Sequence, residues 1–225
     1  MSHVQSAIES ITHAYGRPKV AKPTPEQVKQ AQSYMENRGY MANVSPKPHA
    51  KLAEWLHVRG ELLRARNERK PEPQARGLFL YGNNGTGKTL FAQLVLRKWR
   101  YLECKRIVAL YKELGGFCER LEEVCNGGYL SSNSMWPPRD VVIDELTGEP
   151  ICVDHGQREE VMAGVISDRY RAWSEHNCAT VIICNVDVSS RPQVITERYG
   201  NRTADRLREM CDFVKFDGKS ARGRA

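Results

Sequence analysis

The rhythm of apolar positions changes near residue 77. Before it, Thr24-Pro25-Glu26-Gln27 reads as a helix start, with Thr24 as N-cap, Pro25 in the first helical position and Gln27 three residues on. That helix is expected to run to about Arg38 and to stop at Gly39. Ser45-Pro46-Lys47-Pro48 reads as an extended, turn-prone stretch. A second helix is predicted over 49–67, with Leu52, Trp55, Leu56, Leu62 and Leu63 along one face and Arg59 interrupting the stripe. Lys70-Pro71-Glu72-Pro73 then breaks the chain.

From residue 77 onward, short apolar runs alternate with helical periodicity. The runs are Leu78–Tyr81, Ile107–Leu110, Val141–Ile143 and Val181–Cys184, and a last strand is expected over Asp212–Phe216. Helices are predicted near 88–101, 112–125 and 157–176, the last with Met162, Val165, Ile166, Tyr170 and Trp173 on one stripe. Continuous apolar strands separated by helices are buried on both faces, so the pattern predicts a three-layer α/β domain with a mostly parallel sheet. No internal repeat or low-complexity tract interrupts it.

Composition narrows the reading. The 225 residues are 40% hydrophobic and 27% charged, as in an ordinary soluble domain. No apolar run approaches the ~20 residues that span a bilayer, and the N-terminus lacks a signal-peptide pattern, so a cytoplasmic protein without membrane contact is expected. The seven cysteines (Cys104, Cys118, Cys125, Cys152, Cys178, Cys184 and Cys211) form no C-x-x-C pair and no zinc-ligand spacing. They read as reduced thiols, with Cys184 a small buried hydrophobe. The formal charge of +7 suits a polyanionic partner such as nucleic acid, although charge alone does not establish one.

The chemistry begins directly after the first apolar run. Gly82-Asn83-Asn84-Gly85-Thr86-Gly87-Lys88-Thr89 fits G-x-x-x-x-G-K-[ST], between a strand and a helix that opens with Lys88, Thr89 and Leu90. The glycines let successive N–H groups turn inward onto phosphate oxygens. Lys88 adds charge near the β- and γ-phosphates of ATP, and the Thr89 hydroxyl suits Mg²⁺. The helix N-terminus favours the same anions.

Val141-Val142-Ile143-Asp144-Glu145 ends a buried strand in two carboxylates. Asp144 suits metal support and Glu145 the polarisation of an attacking water. Asn185, at the end of the next apolar strand, either orients that water or simply starts a turn. The C-terminal stretch is rich in arginine (Arg198, Arg202, Arg206, Arg208, Arg222, Arg224), the residue suited to phosphate contacts and to completing a neighbouring NTPase site; a solvated basic helix is the plainer reading.

Taken in order, these motifs, with Tyr199-Gly200-Asn201-Arg202-Thr203-Ala204-Asp205-Arg206-Leu207, resemble the AAA+ ATPases of the DnaC/IstB group. Val165–Tyr170 resembles the helix after that group's second motif, and Val214–Arg222 its last strand and terminal arginine. The resemblance spans about residues 49–225. It implies Lys88 and Thr89 as phosphate and magnesium ligands, Asp144 as metal support, Glu145 as activator of water, and Asn185 as the polar sensor. It further implies Arg206 as an arginine finger acting in trans (Arg202 being second choice), Arg222 as a second sensor, and no C-terminal helical lid.

Residues 1–45 match no pattern and would form a helical partner-docking segment, with the ATPase domain over 46–225. The implied function is loading of a replicative helicase onto single-stranded DNA, with self-association through a shared ATP site and residues 126–139 as a candidate contact loop. An IstB-like transposition helper acting on duplex DNA has the same catalytic residues. A small-metabolite kinase is opposed by Glu145 and the arginine segment, and a non-catalytic ATP-sensing scaffold is a further alternative.

Overall fold

The computed structural model describes residues 21–40, 46–113, 139–154 and 157–217. Helix α1 (Pro25–Glu36) begins as the sequence requires. The Thr24 N–H reaches Gln27 Oε1 at 2.8 Å and the Gln27 N–H returns to Thr24 Oγ1 at 3.3 Å. Helix α2 (Pro46–Asn67) starts three residues before its expected position, because Pro46 occupies the first helical turn, where no N–H is needed, rather than an extended stretch.

There follow β1 (Gly77–Tyr81), α3 (Lys88–Val95), β2 (Arg100–Glu103), α4 (Cys104–Glu113) and β3 (Val141–Leu146). A short antiparallel hairpin, β4 (Cys152–Asp154) and β5 (Gln157–Glu159), precedes α5 (Val161–His176). The chain continues through β6 (Thr180–Cys184), α6 (Val194–Tyr199), α7 (Asn201–Met210) and β7 (Cys211–Lys215).

The expected strand at Ile107–Leu110 is a helix. Cys104, Ile107 and Val108 are buried while Lys105, Arg106 and Ala109 are exposed, the i, i+3, i+4 spacing of an amphipathic helix. The strand in that region is β2, a mixed edge strand (Arg-Tyr-Leu-Glu) that carries little apolar signal because it is buried less than a central strand. Accordingly α3 ends at Val95 instead of near 101, and α4 reaches Glu113; the rest of the helix expected over 112–125 lies outside the described residues. Helix α5 begins four residues later than expected, since 157–159 belong to the hairpin.

The five long strands form one parallel sheet in the order β2-β3-β6-β1-β7. Alternate residues feed two cores. Leu78, Leu80, Val142, Val181 and Ile183 face α1, α2 and α3, whereas Phe79, Val141, Ile143 and Ile182 face α4, α5, α6 and α7. Phe79 stacks on Phe213 at 4.6 Å between ring centroids. The described part of the N-terminal segment shares the first core: Met35 and Tyr40 are fully buried, and Tyr40 meets Phe91 of α3 edge-on at 5.4 Å.

A polar lattice closes the N-terminal end of the sheet. Arg59, which interrupts the apolar stripe of α2, is 4% exposed; it binds Asp140 at 2.5 Å and donates to the Asn177 carbonyl at 3.3 Å. Asp140 accepts the Ala179 N–H at 2.7 Å. Asn177 ends α5 in the left-handed region (φ 55°) and is itself bonded to Ala75 and Pro73. Fully buried Arg169 spans Thr180 Oγ1, the Ala179 carbonyl and the Arg139 carbonyl. Burying these charges is tolerable only because Arg59 is paired with Asp140 and Arg169 is hydrogen-bonded to several acceptors. The Arg59→Met variant is expected to lose about 2 kcal/mol, below the usual cost of breaking a buried pair because Asp140 keeps some solvent contact; urea unfolding with unchanged m-value measures it.

Candidate functional site: a glycine-rich loop facing two strand-end carboxylates

The loop between β1 and α3 is shaped by left-handed backbone at Gly82 (φ 128°), Gly85 (φ 76°) and Gly87 (φ 97°). Gly82 is held by more than its backbone angle. A Cβ there would stand 2.4 Å from the Phe216 carbonyl oxygen, where the chain end of β7 crosses the loop entrance. Thr86 Oγ1 donates to the Asn83 carbonyl at 2.8 Å and tightens the turn. The buried Lys88 ammonium donates to the carbonyls of Gly82 (2.8 Å) and Asn83 (2.7 Å), so it lies across the mouth of the loop. Asn83 and Asn84 are exposed, and Leu90 turns outward at 37% exposure.

Two strands away, β3 delivers its carboxylates to the same edge of the sheet. Thr89 Oγ1 donates to Asp144 Oδ2 at 3.1 Å, and the Tyr101 hydroxyl of β2 donates to the same oxygen. Burial and the Asp144 carboxylate push the Tyr101 phenol well above its ordinary value, which keeps it a donor. Tyr101 carried no motif signal; only the pairing of β2 with β3 brings it here.

The β3–β6 register slips between Ile143 and Leu146, so Asp144 and Glu145 together occupy one position opposite Ile183. This bulge puts Glu145 at φ 64° and sends its side chain outward, 46% exposed and 3.7 Å from Lys105 Nζ. Glu103, then Glu145, hold the Lys105 ammonium above the usual lysine value. Asp144 remains buried facing Thr89, and thus the adjacent acids serve different spaces.

Strand β6 runs between β1 and β3, so the exposed Asn185 that follows it emerges between the loop and the carboxylates. The segment after Asn185 is tethered: Asp187 accepts from Ser189 Oγ (2.5 Å) and N–H (3.0 Å) and pairs with Lys215 at 2.9 Å. The Ser189 hydroxyl, then Lys215, pull the Asp187 carboxyl down to about 2. A depressed carboxylate contributes stability above its unfolded value and loses it as pH falls toward about 2, so the tether is intact at neutral pH. Cys184, just before Asn185, is fully buried, and burial pushes its thiol up, toward the protonated form.

Arg206 is not at this site. It lies on α7 with its guanidinium 5.4 Å from the Tyr170 ring centroid, and among the described residues it makes no hydrogen bond to the loop or to either strand-end carboxylate. Arg202 is exposed on the same helix and Arg208 pairs with Asp205 at 2.6 Å. Arg198 holds Glu149 at 3.1 Å. Arg222, Arg224 and most of the candidate contact loop (126–138) lie outside the described residues.

The donor set fits a triphosphate with a hard divalent ion: a loop turned by left-handed glycines, one ammonium, and a hydroxyl beside a carboxylate. Among the described residues no group of three or more His, Cys, Asp or Glu could hold a metal by itself, so phosphate oxygens would complete the shell. No described helix is long and apolar enough to cross a membrane.

A parallel sheet with this loop on a central strand and an acid-tipped strand two places away defines a P-loop α/β domain. No protein-family model and no curated protein matches the chain. Among solved structures it is similar to that of the DnaC helicase loader, at 20% identity and a TM-score of 0.47, covering 72% of this chain and 87% of that one. It is also similar to DnaI, at 18% identity and a TM-score of 0.41, covering 73% of this chain and 82% of that one.

Replacing Gly82 by Ala should be costly, because the new methyl meets backbone rather than a flexible side chain. A loss of about 1–3 kcal/mol in thermal unfolding is expected.

Proposed function

We propose that this chain binds ATP with magnesium at residues 82–89 and hydrolyses it within an assembly of like subunits. We further propose that this cycle serves DNA replication, by loading a replicative helicase onto single-stranded DNA. The observation that carries the ATPase reading is the 3.1 Å contact between Thr89 and Asp144, made across an intervening strand while the bulge turns the neighbouring Glu145 to solvent.

In this reading the amides from Gly85 to Thr89, with Leu90 following in the helix, cradle the phosphates, and Lys88 exchanges its loop carbonyls for phosphate oxygens. Thr89 and Asp144 would hold magnesium, which when bound neutralises charge on the β- and γ-phosphates. Glu145, solvent-accessible and acceptor-only, takes a proton from the attacking water, and Asn185 orients that water from the adjacent strand end. Arg206, remote from its own loop, suits a neighbour's site, where a guanidinium stabilises charge developing in the transition state. Arg222 is the second-sensor candidate on its motif position alone.

The replication reading is supported by the Tyr199–Leu207 block, which generic P-loop kinases lack, and by the basic balance of the chain. Single-stranded DNA would be held largely through phosphates and released by salt. A non-catalytic scaffold has no use for a carboxylate turned outward beside the loop.

Lys88→Ala should abolish ATP binding in calorimetry. Arg206→Ala should bind ATP within about threefold of wild type but lose at least about 100-fold in turnover, in line with the worth of such arginines. Turnover of the parent chain should rise more steeply than linearly with protein concentration. For the loader reading, the cognate replicative helicase should co-purify with the protein when ATP is present; no recovery with or without nucleotide overturns it.

A further inference from the structure

Glu149 is a buried acid with no part in the site described above. Its side chain is 3% exposed, and a carboxylate at that depth is costly unless charge and hydrogen bonds hold it. The groups that hold it come from two adjacent residues of α6. Arg198 Nε lies 3.1 Å from Oε1, the Tyr199 hydroxyl donates to the same oxygen, and Arg198 Nη2 donates to the Glu149 carbonyl at 2.6 Å. Among the described residues, Oε2 has no hydrogen-bond partner, so the binding is one-sided and aimed at α6.

The same Tyr199 oxygen accepts the Thr147 N–H at 3.0 Å. Residues 198 and 199 therefore grip the chain on both sides of Gly148. Between those grips lies an unusual backbone: Glu145 (φ 64°) and Thr147 (φ 75°) are both left-handed without being glycine, and the Gly148 N–H closes a turn onto the Glu145 carbonyl at 2.9 Å. Such conformations persist only where the surroundings over-determine them. A second restraint comes from Cys184, whose sulfur is 3.7 Å from Thr147 Oγ1, one residue before Asn185. Beyond Tyr199 the chain passes through Gly200 (φ 82°) straight into α7, which bears Arg202 and Arg206.

We propose that Glu149, Arg198 and Tyr199 are positioning residues that hold the turn setting the place of the Glu145 carboxylate and tie it to the root of the arginine-bearing helix. The proposal rests on reading Glu145 as the group that activates water. It accounts for a buried charge and for two strained residues through one set of contacts. It also makes α6 the mechanical link between the part of the chain that serves its own ATP and the part suited to a neighbour's.

Steady-state ATP hydrolysis by the full chain tests it. Tyr199→Phe removes the hydroxyl at nearly constant volume, and Glu149→Gln removes the charge while keeping the shape. Each should lower kcat 10- to 100-fold with the KM for ATP and the affinity for a non-hydrolysable analogue unchanged within twofold. Arg198→Lys, which keeps the charge but loses the fork, should recover part of the kcat that Arg198→Ala loses. In a Glu145→Gln background, Tyr199→Phe should cost no further activity, because the residue it positions is already gone. Wild-type kcat in both Tyr199→Phe and Glu149→Gln, or a rise in KM alone, overturns the proposal. So does an equal loss from Tyr199→Phe with and without Glu145, which marks a merely structural role. Inactive Glu145→Gln beside fully active Tyr199→Phe overturns the positioning role alone; fully active Glu145→Gln overturns the reading of Glu145 and the proposal with it.

Discussion

Strand β1 lies between β6 and β7, and its approach to both is closer than any side chain would permit. A Cβ on Gly77 would stand 2.1 Å from the Thr180 carbonyl, and one on Gly82 would stand 2.4 Å from that of Phe216. These two contacts seat the strand in mid-sheet, with buried Leu78, Phe79 and Leu80 between them feeding both cores. With β6 and then β3 on one side of β1, the loop that leaves it opens beside the strand ends that carry Asn185 and Asp144.

The carboxylate strand shows a second constraint. Alternation alone would put Asp144 and Glu145 on opposite faces of the sheet, and the bulge exaggerates that separation by lifting Glu145 out of the ladder. A regular β3 would leave Glu145 paired in register with its neighbour strand. The left-handed backbone at Glu145 and Thr147 is thus local strain at a candidate catalytic position, held by buried polar contacts from α6.

At the opposite end of the sheet the same trade recurs with a different purpose. Arg59, Asp140, Arg169 and Asn177 satisfy one another and the backbone where strands begin and α5 ends. Trp55 and Trp173 each donate an indole N–H to the neighbouring carbonyls of Arg76 and Ala75, fastening the lead-in to β1. The lattice anchors α2 to the domain, and α1 follows because Met35 and Tyr40 complete the core over α3. The described N-terminal residues are in this way part of the body that carries the P-loop.

Much of this was legible in the order of residues. The α/β class, the central strands, the glycine loop with Lys88 and Thr89, and the acids after three β-branched residues all follow from local chemistry, since each depends on a contiguous run. Contiguous runs also mislead: Ile107–Leu110 is a helix stripe, because four apolar letters do not distinguish a strand from the buried face of a helix. Arg59 reads as a flaw in a stripe, while its partner Asp140 lies 81 positions away. Tyr101 and the Glu149–Arg198–Tyr199 grip are invisible to motif and period, being made by strand pairing and helix packing between distant segments. What the sequence determined by itself is the chemistry available at each position and the local backbone that glycine, proline and caps allow. Only the tertiary structure decided which of those groups meet, because strand order, the one-residue slip in β3 and the seating of α6 arise from packing across the whole chain.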